Sequence, residues 1–253
     1  MSLTPFVADY MLLVDAHCHI NLAKNPKEAI SSALENGVAA IICSGDSLKD
    51  SEECIELADG KRIFATIGVG PDFACKETNY VEWLKEKIKE NKGKVVGIGE
   101  IGLDAKVECN VKKQEEVFRD QIKLAKEFGM PIVVHSRQMI NRVIEILKEE
   151  KAEKAMLHFF EGDEKQATEL ASMGYFLSFP PLESSRRNRI IKMLSLNNIV
   201  TETDSPFAGK EPSDVLKAVE IIARIKGVSM ESAADAITQN IRNLFNINIV
   251  QGP

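Results

Sequence analysis

Four histidines occur in the 253 residues, and each one closes an apolar run. Two stand together in Leu12-Leu13-Val14-Asp15-Ala16-His17-Cys18-His19; the others end Pro131-Ile132-Val133-Val134-His135 and Ala155-Met156-Leu157-His158. In an extended strand alternate side chains share a face, so His17 and His19 can aim both imidazoles at one spot, with Asp15 on the same side. A single histidine in such a place is more often a satisfied structural residue. Four of them at strand ends point instead to a divalent metal, a common partner of clustered neutral imidazoles.

Two carboxylates end further expected strands: Glu100, in Lys94-Val95-Val96-Gly97-Ile98-Gly99-Glu100, and Asp204, in Asn198-Ile199-Val200-Thr201-Glu202-Thr203-Asp204. Three imidazoles and one carboxylate satisfy one hydrolytic metal with an open position, whereas four imidazoles and two carboxylates suit two metals sharing a bridge. The inventory of His17, His19, Glu100, His135, His158 and Asp204 favours two divalent ions. Glu100 is the candidate bridge, because each carboxylate oxygen can bind one ion. Taken alone, Asp204 also reads as an N-cap for the turn Ser205-Pro206. The donor set suits zinc, magnesium, manganese or nickel without choosing among them. Glu202 is either a support behind the ligands or a charge paired outside the strand.

Such residues need a frame that brings strand ends together. The chain alternates strand and helix throughout. Strands are expected at the first histidine run, Val38 to Cys43, Arg62 to Val69, Lys94 to Glu100, Pro131 to His135, Ala155 to His158, Gly174 to Phe179 and Asn198 to Asp204. Helices fall between them, among them Ser47 to Ala58 with a serine N-cap, Thr78 to Asn91, and Val111 to Phe128 ended by Gly129. Pro212 to Lys226 is an eighth helix and Met230 to Phe245 an extra one. Continuous apolar strands are what a helix-covered parallel sheet requires. Eight such units predict an α/β fold closed as a TIM (β/α)8 barrel, in which active sites sit at the C-terminal strand ends. No glycine-rich phosphate fingerprint follows the first strand, which lowers the dinucleotide-binding alternative. Trp83 and phenylalanines such as Phe118 and Phe128 are expected to pack rather than to bind.

Composition sets the outer bounds. With 44% hydrophobic and 28% charged residues, the chain is ordinary for a globular protein and long enough for one barrel domain over residues 1–253. The first eleven residues read as an irregular leader without the pattern of a secretory signal. No apolar run approaches the ~20 residues needed to span a bilayer. Cys18, Cys43, Cys54, Cys75 and Cys109 are odd in number and lack a Cys-x-x-Cys pair, which predicts reduced thiols in a cytoplasmic protein. A net charge of −6 argues against a dedicated nucleic-acid binder but not against an enzyme whose metals and a local basic rim meet phosphates. No membrane association and no stable protein partner are implied.

The motifs in combination resemble the TatD family of metal-dependent deoxyribonucleases, within the amidohydrolase-type barrels. The likeness runs from Leu12 to Phe245. It is carried by Asp15-x-His17-x-His19, Gly99-Glu100-Ile101-Gly102-Leu103-Asp104, Gln114-x-x-x-Phe118, Pro131 to Arg137, His158 followed by Gly162, Glu202-Thr203-Asp204-Ser205-Pro206 and Asn240-x-x-x-Leu244-Phe245. The resemblance implies one metal on His17, His19, Glu100 and Asp204 and a second on Glu100, His135 and His158, with hydrolysis of phosphodiester bonds in DNA or oligonucleotides by a metal-activated water that Asp204 is the candidate to orient or deprotonate, a role compatible with its N-cap reading. It also shows departures. Gly70 stands where the family has the histidine of a Gly-x-His-Pro pattern near the substrate phosphate. Ala105, Phe159-Phe160-Glu161 and Lys210-Glu211-Pro212 replace other usual residues, while Arg137 and Arg186-Arg187-Asn188-Arg189 offer substitute positive charge. Hydrolysis of a small ester, lactone or amide is therefore the alternative enzymatic reading. A catalytically silent binding barrel is the third.

Overall fold

A computed structural model describes residues 11–249. Residues 1–10 of the expected leader lie outside that range, and Met11 is buried in the core. Eight strands form one sheet in chain order, every pair parallel: β1 (Leu13–Cys18), β2 (Val38–Ser44), β3 (Ile63–Ile67), β4 (Val95–Asp104), β5 (Ile132–Arg137), β6 (Ala155–Leu157), β7 (Phe176–Phe179) and β8 (Ile199–Thr201). Helices α1 (Pro26–Glu35), α2 (Leu48–Leu57), α3 (Tyr80–Glu90), α4 (Val111–Phe128), α5 (Ile140–Glu149), α6 (Glu164–Ser172), α7 (Ser185–Met193) and α8 (Val215–Lys226) follow the successive strands, and α9 (Met230–Phe245) comes last. This is the TIM barrel that the strand pattern predicts. β2 is buried at all its positions, as a strand covered on both faces must be.

The helix ends follow local chemistry. Ser47 caps α2 by accepting from the Asp50 amide, Asn110 caps α4 by accepting from Lys113, and Gly129 ends α4 in the left-handed region at φ 65°. The α8 region begins with a short 3-10 turn, Pro212–Asp214, ahead of the helix proper. Phe118 is buried, and Trp83 and Phe128 pack against the core from outside. No helix among the described residues is long and apolar enough to cross a membrane.

β8 joins β1 largely through polar groups. The Thr203 amide donates to Asp15 Oδ1 at 2.8 Å and its hydroxyl to Asp15 Oδ2 at 2.5 Å. The Asp204 amide donates to the His17 carbonyl at 3.0 Å, and the His19 amide to the Ser205 carbonyl at 2.8 Å. Asp15 thus turns to the seam between the strands, not to the ligand cluster that its place on the strand face suggests.

Two register shifts lie at the candidate ligands. Between Asp15↔Ile41 and Cys18↔Cys43, three steps along β1 oppose two along β2; between Ile98↔Ile132 and Ile101↔Val134, three steps along β4 oppose two along β5. Such bulges re-aim side chains beside active sites. His17 lies in the first and Glu100 in the second. Close backbone approach continues at Gly102, whose φ is +141° and where a Cβ would lie 2.1 Å from the His135 carbonyl oxygen.

The cysteines depart from expectation. Cys75 and Cys109 form a disulfide with Cα atoms 5.5 Å apart across a separation of 34 residues. One lies in the loop after β3 and the other in the loop after β4, so neighbouring strands bring distant sequence together at one rim. Cys18, Cys43 and Cys54 remain free and buried.

Candidate metal centre

All six residues singled out from strand ends converge at the C-terminal rim. Glu100 lies at their centre. Its Oε2 is 3.3 Å from His17 Nε2 and 3.3 Å from His19 Nε2, while its Oε1 is 2.7 Å from His135 Nδ1 and 3.0 Å from His158 Nε2. Asp204 Oδ1 closes the first group at 3.7 Å from His17 Nε2 and 3.6 Å from His19 Nε2. In a tetrahedral site with metal–ligand bonds of ~2.1 Å, neighbouring donors are about 3.4 Å apart. The distances from His17 and His19 to Glu100 and Asp204, 3.3–3.7 Å, fit that spacing.

The second group is tighter, with His135 Nδ1 and His158 Nε2 3.1 Å apart. His17 lies between the groups, its ring stacked on that of His158 with centroids 4.2 Å apart. Donor atoms of His17, His19 and Asp204 all lie within 4.8 Å of one another, as do those of His17, Glu100 and His158. His17 is wholly buried, and neither ring nitrogen has a hydrogen-bond partner. An unpaired buried imidazole is costly; a cation at Nε2 removes the deficit at that nitrogen. The donor set therefore fits divalent metal.

The electrostatics of the bare cluster are those of a site built for positive charge. Burial would raise the Glu100 carboxyl, but the imidazoles of His158, His135 and His17 hold it well below the usual range. Burial, reinforced by the charge of His158, pushes His17 down to about 3. Burial also disfavours charge on His19, yet the adjacent Glu100 outweighs it and pushes His19 up to about 9. His135 is raised to about 10 against its burial by hydrogen bonds to Asp104 and Glu100. Burial raises the Asp204 carboxyl.

Two further carboxylates, Asp104 and Glu202, lie behind the ligands, and only Glu202 is foreseen as a support from sequence. Asp104 Oδ2 lies 3.0 Å from His135 Nε2, the ring edge facing away from Glu100. Its backbone is clasped by Gln114, whose Oε1 accepts from the Asp104 amide at 2.9 Å and whose Nε2 donates to the carbonyls of Asp104 and Cys109 at 3.1 and 2.7 Å. Glu202 is not an outward charge: it is fully buried and accepts from the Phe159 amide at 2.6 Å, and its Oε1 lies 4.0 Å from His158 Nδ1, beyond hydrogen-bond reach. Burial pushes its carboxyl up to about 8. The signal for Asp104 was its place at the end of a strand-four run; nothing local marks its partner on β5.

Beside the cluster is a cavity of about 360 Å³ bordered by His135, His158 and Asp204 and, further out, by Ser136, Arg137 and Phe207. Phe159 at φ +44° and Asp204 at φ +48° hold left-handed backbone at its edge, an uncommon state for non-glycine residues that is concentrated at functional sites. At Gly70 a Cβ would lie 3.3 Å from Asp46 Cβ and 3.4 Å from its carbonyl oxygen. A histidine there would need the Asp46 loop to yield. Of the basic run, Arg189 pairs with Glu164, whereas Arg187 lies over the Phe159 ring at 5.4 Å.

Comparison with known proteins places these motifs in company. Residues 14–246 match the family model described as TatD related DNase. An uncharacterized metal-dependent hydrolase of Methanocaldococcus jannaschii is 35% identical over 243 residues, covering 92% of this chain and 96% of the relative. The deoxyribonuclease TATDN3 of Homo sapiens is 31% identical over 258 residues, covering 92% and 94%. Among solved structures, the TatD homolog YjjV from Escherichia coli K12 superposes with a TM-score of 0.86 at 24% identity, covering 93% of this chain and 98% of that one.

Proposed function

We propose that this chain, which belongs to the TatD family of metal-dependent hydrolases, cleaves phosphodiester bonds in DNA ends or short oligonucleotides with two divalent ions held by His17, His19, Glu100, His135, His158 and Asp204. The observation that carries the reading is the split of Glu100, one oxygen toward His17 and His19 and the other toward His135 and His158. Support for DNA comes from the human relative's name as a deoxyribonuclease. When bound, the ions would supply charge against the nonbridging phosphate oxygens and a water acidic enough to react near neutral pH.

The protein's own groups divide the remaining work. Asp204 borders both the cluster and the cavity, so it is the carboxylate positioned to take a proton from the attacking water. Arg137 and Ser136 on the cavity wall can bind phosphate oxygens that the missing family histidine would otherwise meet. His135 is held in place from behind by Asp104. The same proposal takes the chain as one barrel domain in the cytoplasm, on the free thiols of Cys18, Cys43 and Cys54; the Cys75–Cys109 bridge weighs the other way.

Hydrolysis of single-stranded DNA and of a chromogenic phosphodiester, with and without manganese, tests the reading. Metal-stimulated turnover that falls by orders of magnitude in folded Asp204→Asn is expected. Silence on both substrates with every divalent metal rejects it. One observation favours a second reading: with glycine at position 70 and Asp46 against it, a phosphate contact is absent, and a small ester, lactone or amide would not need it. Activity on such compounds alone selects that alternative.

A further inference from the structure

Among the described residues, Phe207 is the most exposed large apolar side chain, at 68%, and it borders the cavity that contains the candidate ligands. Leaving such a ring in water forfeits the stabilisation that its burial would give. Its backbone is nevertheless held beside the ligands. The Phe207 amide donates to the Asp204 carbonyl at 2.8 Å, and the ring meets that of His19 edge to face, with centroids 5.3 Å apart at 72°.

The cavity is also lined by Phe159 and Leu182, the latter 40% exposed, so the pocket pairs apolar side chains with ligating groups. At about 360 Å³ it is near the small end of the roughly 300–1,000 Å³ usual for small-molecule sites. That is room for one nucleotide unit, not for a duplex. An unpaired base is the part of a nucleotide that offers a flat face to an exposed aromatic ring.

We infer that Phe207 is a specificity-determining residue that stacks the base of the nucleotide whose phosphate enters the centre. The inference rests on the phosphodiesterase reading. It assigns the base to Phe207 and the phosphate to the ligand cluster, two parts of one substrate that can be removed separately.

The test compares two single-stranded oligonucleotides that differ only in having thymine or an abasic tetrahydrofuran unit at both ends. With manganese present, the wild type should favour the base-bearing substrate in kcat/KM by about 5- to 150-fold. Phe207→Ala should bring that ratio close to one, and Phe207→Trp should keep it. Fluorescence anisotropy of the same oligonucleotides on the metal-free protein gives the comparison without turnover, as a ratio of Kd values. Loss of hydrolysis with a Phe207-dependent Kd ratio would reject the phosphodiesterase reading and uphold the stacking. A ratio near one in the wild type, or an equal ratio in wild type and Phe207→Ala, would overturn the stacking itself.

Discussion

His135 Nε2 lies 3.0 Å from Asp104 Oδ2, on the edge of the ring opposite the Nδ1 that faces Glu100 Oε1 at 2.7 Å. The carboxylate thereby fixes which nitrogen is free to ligate and how the ring is turned, a support that metal-binding histidines commonly need. Asp104→Asn should lower metal affinity or turnover by about 10- to 100-fold while circular dichroism stays that of the wild type. Metal titration of the variant checks this, and wild-type affinity together with wild-type turnover would contradict it.

Asp15 closes the barrel seam by accepting from the amide and hydroxyl of Thr203. Asp15→Ala leaves a buried amide unpaired, and should cost on the order of 3 kcal/mol in urea unfolding. Burial raises Asp15 to about 7 from 3.8, so the folded chain holds this proton more tightly than the unfolded one. The resulting stability is complete below about pH 3.8 and is lost as pH rises through 7. In metal-free protein, the pH dependence of the melting temperature between those values should therefore be shallower in Asp15→Asn than in the wild type.

His19 and His135, with values raised to about 9 and about 10, carry protons at pH 7 that a cation must displace. His17, pushed down to about 3, carries none. Metal affinity should accordingly rise as pH is raised from 6 to 9, and loading at pH 7 should release protons. Calorimetry in buffers of different ionisation enthalpy reads that release directly. Heats independent of buffer would contradict the charge states described for the cluster.

The Cys75–Cys109 bridge closes a segment spanning a separation of 34 residues. Under oxidising conditions Cys75→Ser should be less stable than the wild type by roughly 3–4 kcal/mol. Dithiothreitol should bring the wild type down to the variant and leave the variant unchanged. Equal melting temperatures in oxidised wild type and variant would show that the pair is not closed in solution.

The eight strands are legible in the chain because a helix-covered parallel sheet demands continuous apolar runs, and Val111–Phe128 and Met230–Phe245 are bounded as their caps and apolar stripes predict. The ligand types are legible for a related reason: His135, His158 and Glu100 are polar residues ending otherwise apolar segments, and Asp204 follows shortly after the apolar pair Ile199-Val200. What the chain hides depends on contacts between segments. The bulges at His17 and Glu100 arise from register against neighbouring strands, and no residue pattern marks them. Asp104, Glu202 and Asp15 acquire their roles only from what lies across the barrel. Cys75 and Cys109 meet because β3 and β4 are neighbours, a fact that counting cysteines does not contain.

If Glu100 bridges two ions, metal stoichiometry must show it. Metal-free protein titrated with manganese or zinc, then checked by elemental analysis after gel filtration, should hold two ions per wild-type chain and one or none in Glu100→Gln. A single ion in the wild type, or two ions bound with undiminished affinity in Glu100→Gln, would refute the bridge.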